Sequence, residues 1–169
     1  MSGHSKWSKI KHQKATGDAK KGQIFSKLSK LITVAVRKGK DPESNIELKH
    51  AINQAKTASM PAGNIERAIK KGSGELQGEL LEEVQYEAFG PGGTAILMKG
   101  VTDNKNRTSN EIKHLLAQHS AKLAQLGATT WLIKNPIEIS DTDKENLEKL
   151  IKALKNHDDI QSIHTNTRN

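Results

Sequence analysis

The sequence predicts an α+β protein: an N-terminal three-helix bundle over residues 1–78, then a ββαβαβ domain with a mainly antiparallel sheet over residues 79–169. Three observations predict it. Apolar residues recur at three- and four-residue spacing before residue 72, and at two-residue spacing after residue 83. A glycine- and serine-containing run, residues 72–78, separates the two patterns. The charge changes sign across that run: residues 1–74 hold 16 Lys+Arg against 5 Asp+Glu, and residues 75–169 hold 11 against 14.

Residues 1–16 alternate basic and small polar side chains, with Trp7 and Ile10 as the sizeable apolar anchors. A helix is expected over residues 18–38, where Ile24, Phe25, Leu28, Leu31, Ile32 and Ala35 make one apolar stripe. Arg37, Lys38 and Gly39 give it a cationic last turn and a glycine stop. Asp41-Pro42-Glu43 predicts a second helix, with Asp41 as its N-cap and Leu48, Ala51, Ile52 and Ala55 inward. Pro61 opens a third, burying Ile65, Ala68 and Ile69, and Lys71-Gly72 closes it.

In the second domain, Val84, Tyr86 and Ala88 alternate with Gln85 and Glu87. Gly90-Pro91-Gly92-Gly93 then turns the chain into a strand over residues 94–101, a hairpin signal. Thr108-Ser109-Asn110-Glu111 has the form of a capping box, and the helix after it gathers Ile112, Leu115, Leu116 and Leu123. Residues 128–133 read as a strand that resumes at 137–139 after Pro136. Ser140-Asp141-Thr142-Asp143 opens a last helix carrying Leu147, Leu150, Ile151 and Leu154, and residues 160–164 close as a strand.

Composition excludes several functions. There is no cysteine, hence no disulfide framework and no thiolate metal site. No apolar run approaches the roughly 18 residues of a membrane span, and the N-terminus lacks the apolar stretch of a secretory signal, so a cytoplasmic location is expected. Phosphate loops need Gly-Lys-Ser/Thr, whereas this chain has Lys-Gly at 21–22, 38–39, 71–72 and 99–100. His114 and His119, five apart, do not share a helix face, and no His-Glu-x-x-His occurs. Asp158-Asp159 reads as a solvated turn before the last strand, and no nucleophile elbow is present. The expectation is a protein that is not an enzyme and uses no cofactor, metal or small-molecule substrate.

The first forty residues carry eleven basic side chains against Asp18. Lys6, Lys9, Lys11, Lys14, Lys20, Lys21, Lys27 and Lys30 are too many for one carboxylate to neutralise. A phosphate backbone would relieve their repulsion while releasing counterions, so a nucleic acid is the expected partner. Lysine outnumbers arginine ten to one in this stretch, which suits backbone attraction more than bidentate base reading. Trp7 either stacks on a base or, as a lone tryptophan more often does, pins the arm to its neighbours. Arg107, in the polar loop 104–107, is a further candidate contact beside a turn-and-cap reading of that loop.

Gly3-His4-Ser5-Lys6-Trp7, then Ile10-Lys11-His12, Lys14 and Asp18-Ala19-Lys20-Lys21-Gly22, closely resemble the opening of the YebC-like family. Asp41-Pro42-Glu43-Ser44-Asn45, Asn64-Ile65-Glu66-Arg67-Ala68-Ile69, residues 86–93, residues 102–108 and the closing Asp158-Asp159-Ile160-Gln161 with Asn166 extend the resemblance along the chain. The family is commonly labelled a probable transcriptional regulator and includes mitochondrial translational activators. The resemblance implies nucleic-acid binding and control of gene expression, and adds His4 and His12 to the candidate interface. Two mechanisms then compete, docking on ribosomal RNA with ribosomal proteins beside it, or binding promoter DNA. No helix presents Arg, Asn and Gln at base-reading spacing, so RNA is the favoured expectation. An adaptor for an acidic protein is a third reading. Family members carry a third domain between the segments matching Trp131-Leu132-Ile133 and Asn135-Pro136, which are nearly fused here, so most of that domain is expected to be missing.

Overall fold

A computed structural model describes the backbone of residues 3–168 and the side chains of residues 17–168. The chain divides into two compact units, Met1–Gln77 and Gly78–Asn169. The first contains α1 (Gly3–Ala35), α2 (Ile46–Thr57) and α3 (Ala62–Gly72). Helix α1 begins well before residue 18, the start that the apolar period suggested. Its leading part has no apolar stripe to give a periodic signal, but it is free of proline and contains four Lys with Gln13 and Ala15, good helix formers.

Ile32, Ala35 and Val36 pack with Leu48, Ala51, Ala55, Met60, Ile65 and Ala68 to form the core of this unit, flanked by Phe25, Leu28, Leu31, Ile52 and Ile69. Ile24, assigned to the same stripe, is instead 47% exposed; among the described side chains of α1, those packed on the core begin at Phe25. A 3-10 turn, Val36–Lys38, and Gly39 at φ 148° end the helix.

The cap of α2 is Asn45, not Asp41. Its buried side chain accepts from the Leu48 amide at 3.1 Å and donates to the Ala35 and Gly39 carbonyls, each at 2.8 Å. One amide thus satisfies the start of α2 and the end of α1, which an Asp side chain could not do, since it has no donor. Asp41 is used one turn earlier, accepting from the Glu43 amide at 3.0 Å.

Helix α3 crosses α1 closely at Gly72. A Cβ there would collide with the Thr33 carbonyl oxygen and press on the Val36 side chain. Gly72→Ala is therefore expected to destabilise the first unit by about 1–3 kcal/mol, read as a lower denaturant midpoint, despite the higher helix propensity of alanine.

The second unit is built from β1 (Glu82–Phe89), β2 (Ala95–Thr102), α4 (Lys105–Gln118), β3 (Lys122–Ala124), α5 (Asp141–Lys155) and β4 (Ile160–Thr165). The strands form one antiparallel sheet in the order β3-β1-β2-β4. The expected hairpin pairs Phe89 with Ala95 and Glu82 with Thr102, around a turn whose Gly92 and Gly93 take φ 71° and 77°. Helices α4 and α5 cover one face, burying Ile112, Leu116, Leu147, Leu150 and Leu154 against Ala88, Ile96, Met98 and Ile160.

Three elements differ from the sequence reading. Helix α4 starts one turn early: Asn104 is its cap, accepting from the Arg107 amide at 3.1 Å, and Thr108 is a buried residue inside it. The third strand is 122–124, whereas residues 128–133 form turns and enter a 3-10 segment, Leu132–Lys134. The β-branched pair Thr129-Thr130 looks strand-like, but its polar groups go to a carboxylate. Residues 137–139 reduce to a single parallel bridge between Ile137 and Thr167.

Candidate nucleic-acid interface

Helix α1 runs for 33 residues, and among the described side chains the first unit's core reaches it from Phe25 onward. The expected site residues His4, Lys6, Trp7, Lys9, Lys11, His12 and Lys14 belong to its leading part, and their side chains lie outside the described residues. Residues 17–22 are all exposed, Lys20 and Lys21 among them, and Lys27 is half-buried. A Cβ on Gly17 or Gly22 would meet nothing within 4 Å. This stretch therefore has no packing reason to be helical in its own unit, and it presents its ammonium groups to solvent.

The carboxylates of the first unit are mostly engaged elsewhere. Lys38 Nζ pairs with Glu47 at 2.8 Å, Lys40 with Glu75 at 2.7 Å, Lys49 with Glu43 at 3.2 Å and Lys70 with Glu66 at 3.6 Å. These are exposed pairs, worth little to stability, but they commit Glu43, Glu47, Glu66 and Glu75 to lysines outside α1. Asp41 caps a turn. Asp18 is left as the acidic residue within α1 to oppose its lysines.

Arg107 is placed differently. Its Nη2 lies 2.8 Å from Asp159 and 2.9 Å from Asp103, and its Nε lies 3.7 Å from Glu111. The hydrogen bond to Asp159, then that to Asp103, raises the guanidinium pKa further. Asp159 is not solvated as the sequence suggested: it is 2% exposed and also accepts from the Thr108 hydroxyl at 2.8 Å. The adjacent pair splits because Asp159 turns inward beneath α4, while Asp158 stays exposed.

Glu111, His157 and Asp159 bring ligand-type atoms within 4.8 Å of one another. His157 Nδ1 accepts from the Asp159 amide at 3.1 Å, which leaves Nε2 to carry the proton given to Glu111 at 2.6 Å. With both imidazole nitrogens and the Asp159 carboxylate used internally, this cluster acts as a clasp between α4 and the turn before β4.

A second internal site went unread in the sequence. Glu87 is 1% exposed on β1 and accepts from the amides of Gly127 (2.7 Å) and Thr129 (2.6 Å) and the hydroxyls of Thr129 (2.7 Å) and Thr130 (3.0 Å). Burial pushes its carboxyl up, but the four donors outweigh that and hold the pKa at about 2. Its alternation with apolar neighbours made it look like a solvent-facing strand residue.

The fold and site define a mixed helix-and-sheet protein of two units with a lysine-rich leading helix. Residues 5–75 match the family model for the TACO1/YebC protein N-terminal domain, and residues 81–134 match the model for the TACO1/YebC second and third domain. The chain belongs to the TACO1/YebC family. A probable transcriptional regulatory protein of Pseudothermotoga lettingae is 49% identical over 154 residues, 89% of this chain and 61% of that protein. Another of that name, from Halothermothrix orenii, is 46% identical over 160 residues, covering 92% and 63%. The chain thus spans about three fifths of the length of these curated relatives. The match to the second and third domain stops at residue 134, beside the junction of the two segments that the sequence reading found nearly fused. The crystal structure of a conserved hypothetical protein from Aquifex aeolicus superposes with a TM-score of 0.81 at 31% identity, covering 89% of this chain and 91% of that one.

Proposed function

We propose that this protein is a gene-expression factor that binds RNA, ribosomal RNA above all, through the lysines of helix α1. One observation carries the reading: four of the unit's six carboxylates, Glu43, Glu47, Glu66 and Glu75, are paired with lysines outside α1, while α1 itself carries eight lysines against Asp18. Lysine ammonium groups are point charges that attract phosphate without reading bases, so binding is led by backbone and shape. The interface comprises Lys6, Lys9, Lys11, Lys14, Lys20, Lys21 and Lys27, with His4, Trp7 and His12 interleaved. Arg107 is left out of it, because its charge is already met by Asp159 and Asp103. The cytoplasm, with ribosomes at hand, is the setting this reading requires.

A second reading, binding to promoter DNA, is favoured by the relatives' name, probable transcriptional regulatory protein. The α1 composition speaks against it, since its basic residues are lysines and no Arg occurs from Gly3 to Ala35 for bidentate base contacts. Competition at equal length and fixed salt tests the order. Structured RNA is expected to displace a labelled promoter duplex, and a duplex that displaces the RNA would reverse it.

A further inference from the structure

We propose that the sheet face turned away from α4 and α5 is a second nucleic-acid site, which holds a segment of single-stranded RNA. This rests on the reading above that the protein binds RNA, and it adds a separate site in the second unit. Strand alternation commits Tyr86, Ala88, Ile96, Met98 and Leu123 to the helix-covered core. The register then sends their neighbours to the opposite side: Gln85 beside Lys99, Glu87 between Leu97 and Ala124, and Phe89 beside Lys122. Gln85, Lys99 and Lys122 are exposed there, and Phe89 is 38% exposed.

The Glu87-bound segment 127–130 folds onto this face and runs directly into Trp131, which is 65% exposed. That tryptophan is held from both sides: Thr129 and Thr130 are tied to Glu87, and the Asn135 side-chain amide donates to the Trp131 carbonyl at 3.2 Å. A large exposed aromatic on a fixed backbone costs little ordering when it meets a flat partner. Two exposed aromatics among lysines are the elements of a stacking platform for unpaired bases.

Charge selects the occupant. Residues 120–137 contain Lys122 and Lys134 and no Asp or Glu, while the rest of residues 75–169 holds 9 Lys+Arg against 14 Asp+Glu. The basic island of an otherwise acidic unit coincides with the segment that carries Trp131. Glu83 is the exposed carboxylate of this face, and it borders a cavity of about 250 Å³ lined also by Gln85 and Lys99. An apolar protein partner would have to bury Lys99 and Lys122, which interface cores avoid. Gln85 and His164 offer donors and acceptors to a 2′-hydroxyl, which favours RNA over DNA.

Fluorescence anisotropy of the full chain tests the site, with a labelled oligouridylate of about 12 nucleotides and, separately, a labelled RNA hairpin. Trp131→Ala is expected to weaken oligouridylate binding roughly five- to hundred-fold, the equivalent of removing one base stack. Lys99→Glu with Lys122→Glu should weaken it as well, and both variants should hold the hairpin as the wild type does. Unchanged oligouridylate affinity in both variants would overturn the proposal. So would equal affinity for oligodeoxythymidylate, or a wild-type dimer that Trp131→Ala dissociates, which would give the face to a second copy. A wild type that binds hairpin but not oligouridylate removes this site and leaves the α1 reading standing; one that binds oligouridylate, sensitive to Trp131→Ala, but no hairpin removes the α1 reading and keeps this site.

Discussion

Alanine at Lys6, Lys9, Lys11 and Lys14 abolishes co-sedimentation with ribosomes and leaves the melting of the protein unchanged: that is the expected result of removing half of the eight lysines of α1. All four are long charged side chains rather than core residue types, so the expected loss is of contact with the partner and not of fold. Each phosphate left without its lysine should also flatten the dependence of log affinity on log salt by about 0.7–0.9, and four should flatten it by about 3. Lys20→Glu with Lys21→Glu should act in the same direction, because both side chains are exposed on α1. Retained binding in the fourfold alanine variant, with an unaltered salt slope, would remove the leading helix from the interface.

The second large effect is on stability. Glu87→Ala deprives two amides and two hydroxyls of their acceptor, and Thr129 is fully buried. Unsatisfied buried donors cost about 1–3 kcal/mol each, so the second unit should lose at least about 3 kcal/mol in denaturant melts. The pH dependence has a definite sign. The folded pKa of about 2 lies below the ordinary value of 4.5. The stabilisation is therefore complete above pH 4.5 and is lost as pH falls from there toward 2, a change of about 3 kcal/mol. The gap between wild type and Glu87→Ala should shrink over that window. A gap that stays constant from neutral pH down to pH 2 would show that the loop is held by something other than the ionised carboxylate.

Glu87 also shows where sequence reasoning reached its limit. Period and breakers located the helices and the hairpin well, because Leu48, Ala51 and Ala55, or Leu147, Leu150 and Leu154, repeat on a face that is buried. They failed where a distant polar group redirects the backbone. Residues 128–133 have β-forming side chains, yet Glu87, some forty positions earlier, claims their donors. Asp159 looked like a turn residue, and only the fold brings Arg107 and Thr108, 52 and 51 residues away, onto its oxygen. Asp41-Pro42-Glu43 is a stronger local cap signal than Asn45, whose side chain serves two helices at once only in the fold.

The candidate interface was legible in another way. Net charge needs no packing to be read, so the cationic leading segment stood out at once; the pairing of Glu43, Glu47, Glu66 and Glu75 within the bundle did not. That Trp131 stays exposed follows from the Glu87 latch, which has no local signal in the sequence.

Sedimentation of the full chain with ribosomes through a series of potassium chloride concentrations tests the central claim most directly. The bound fraction is predicted to fall steeply, with log affinity linear in log salt and a slope of several units, about 0.7–0.9 for each phosphate met by a lysine. A flat profile would contradict the claim, since contact between α1 lysines and a nucleic-acid backbone cannot be insensitive to the ions it displaces.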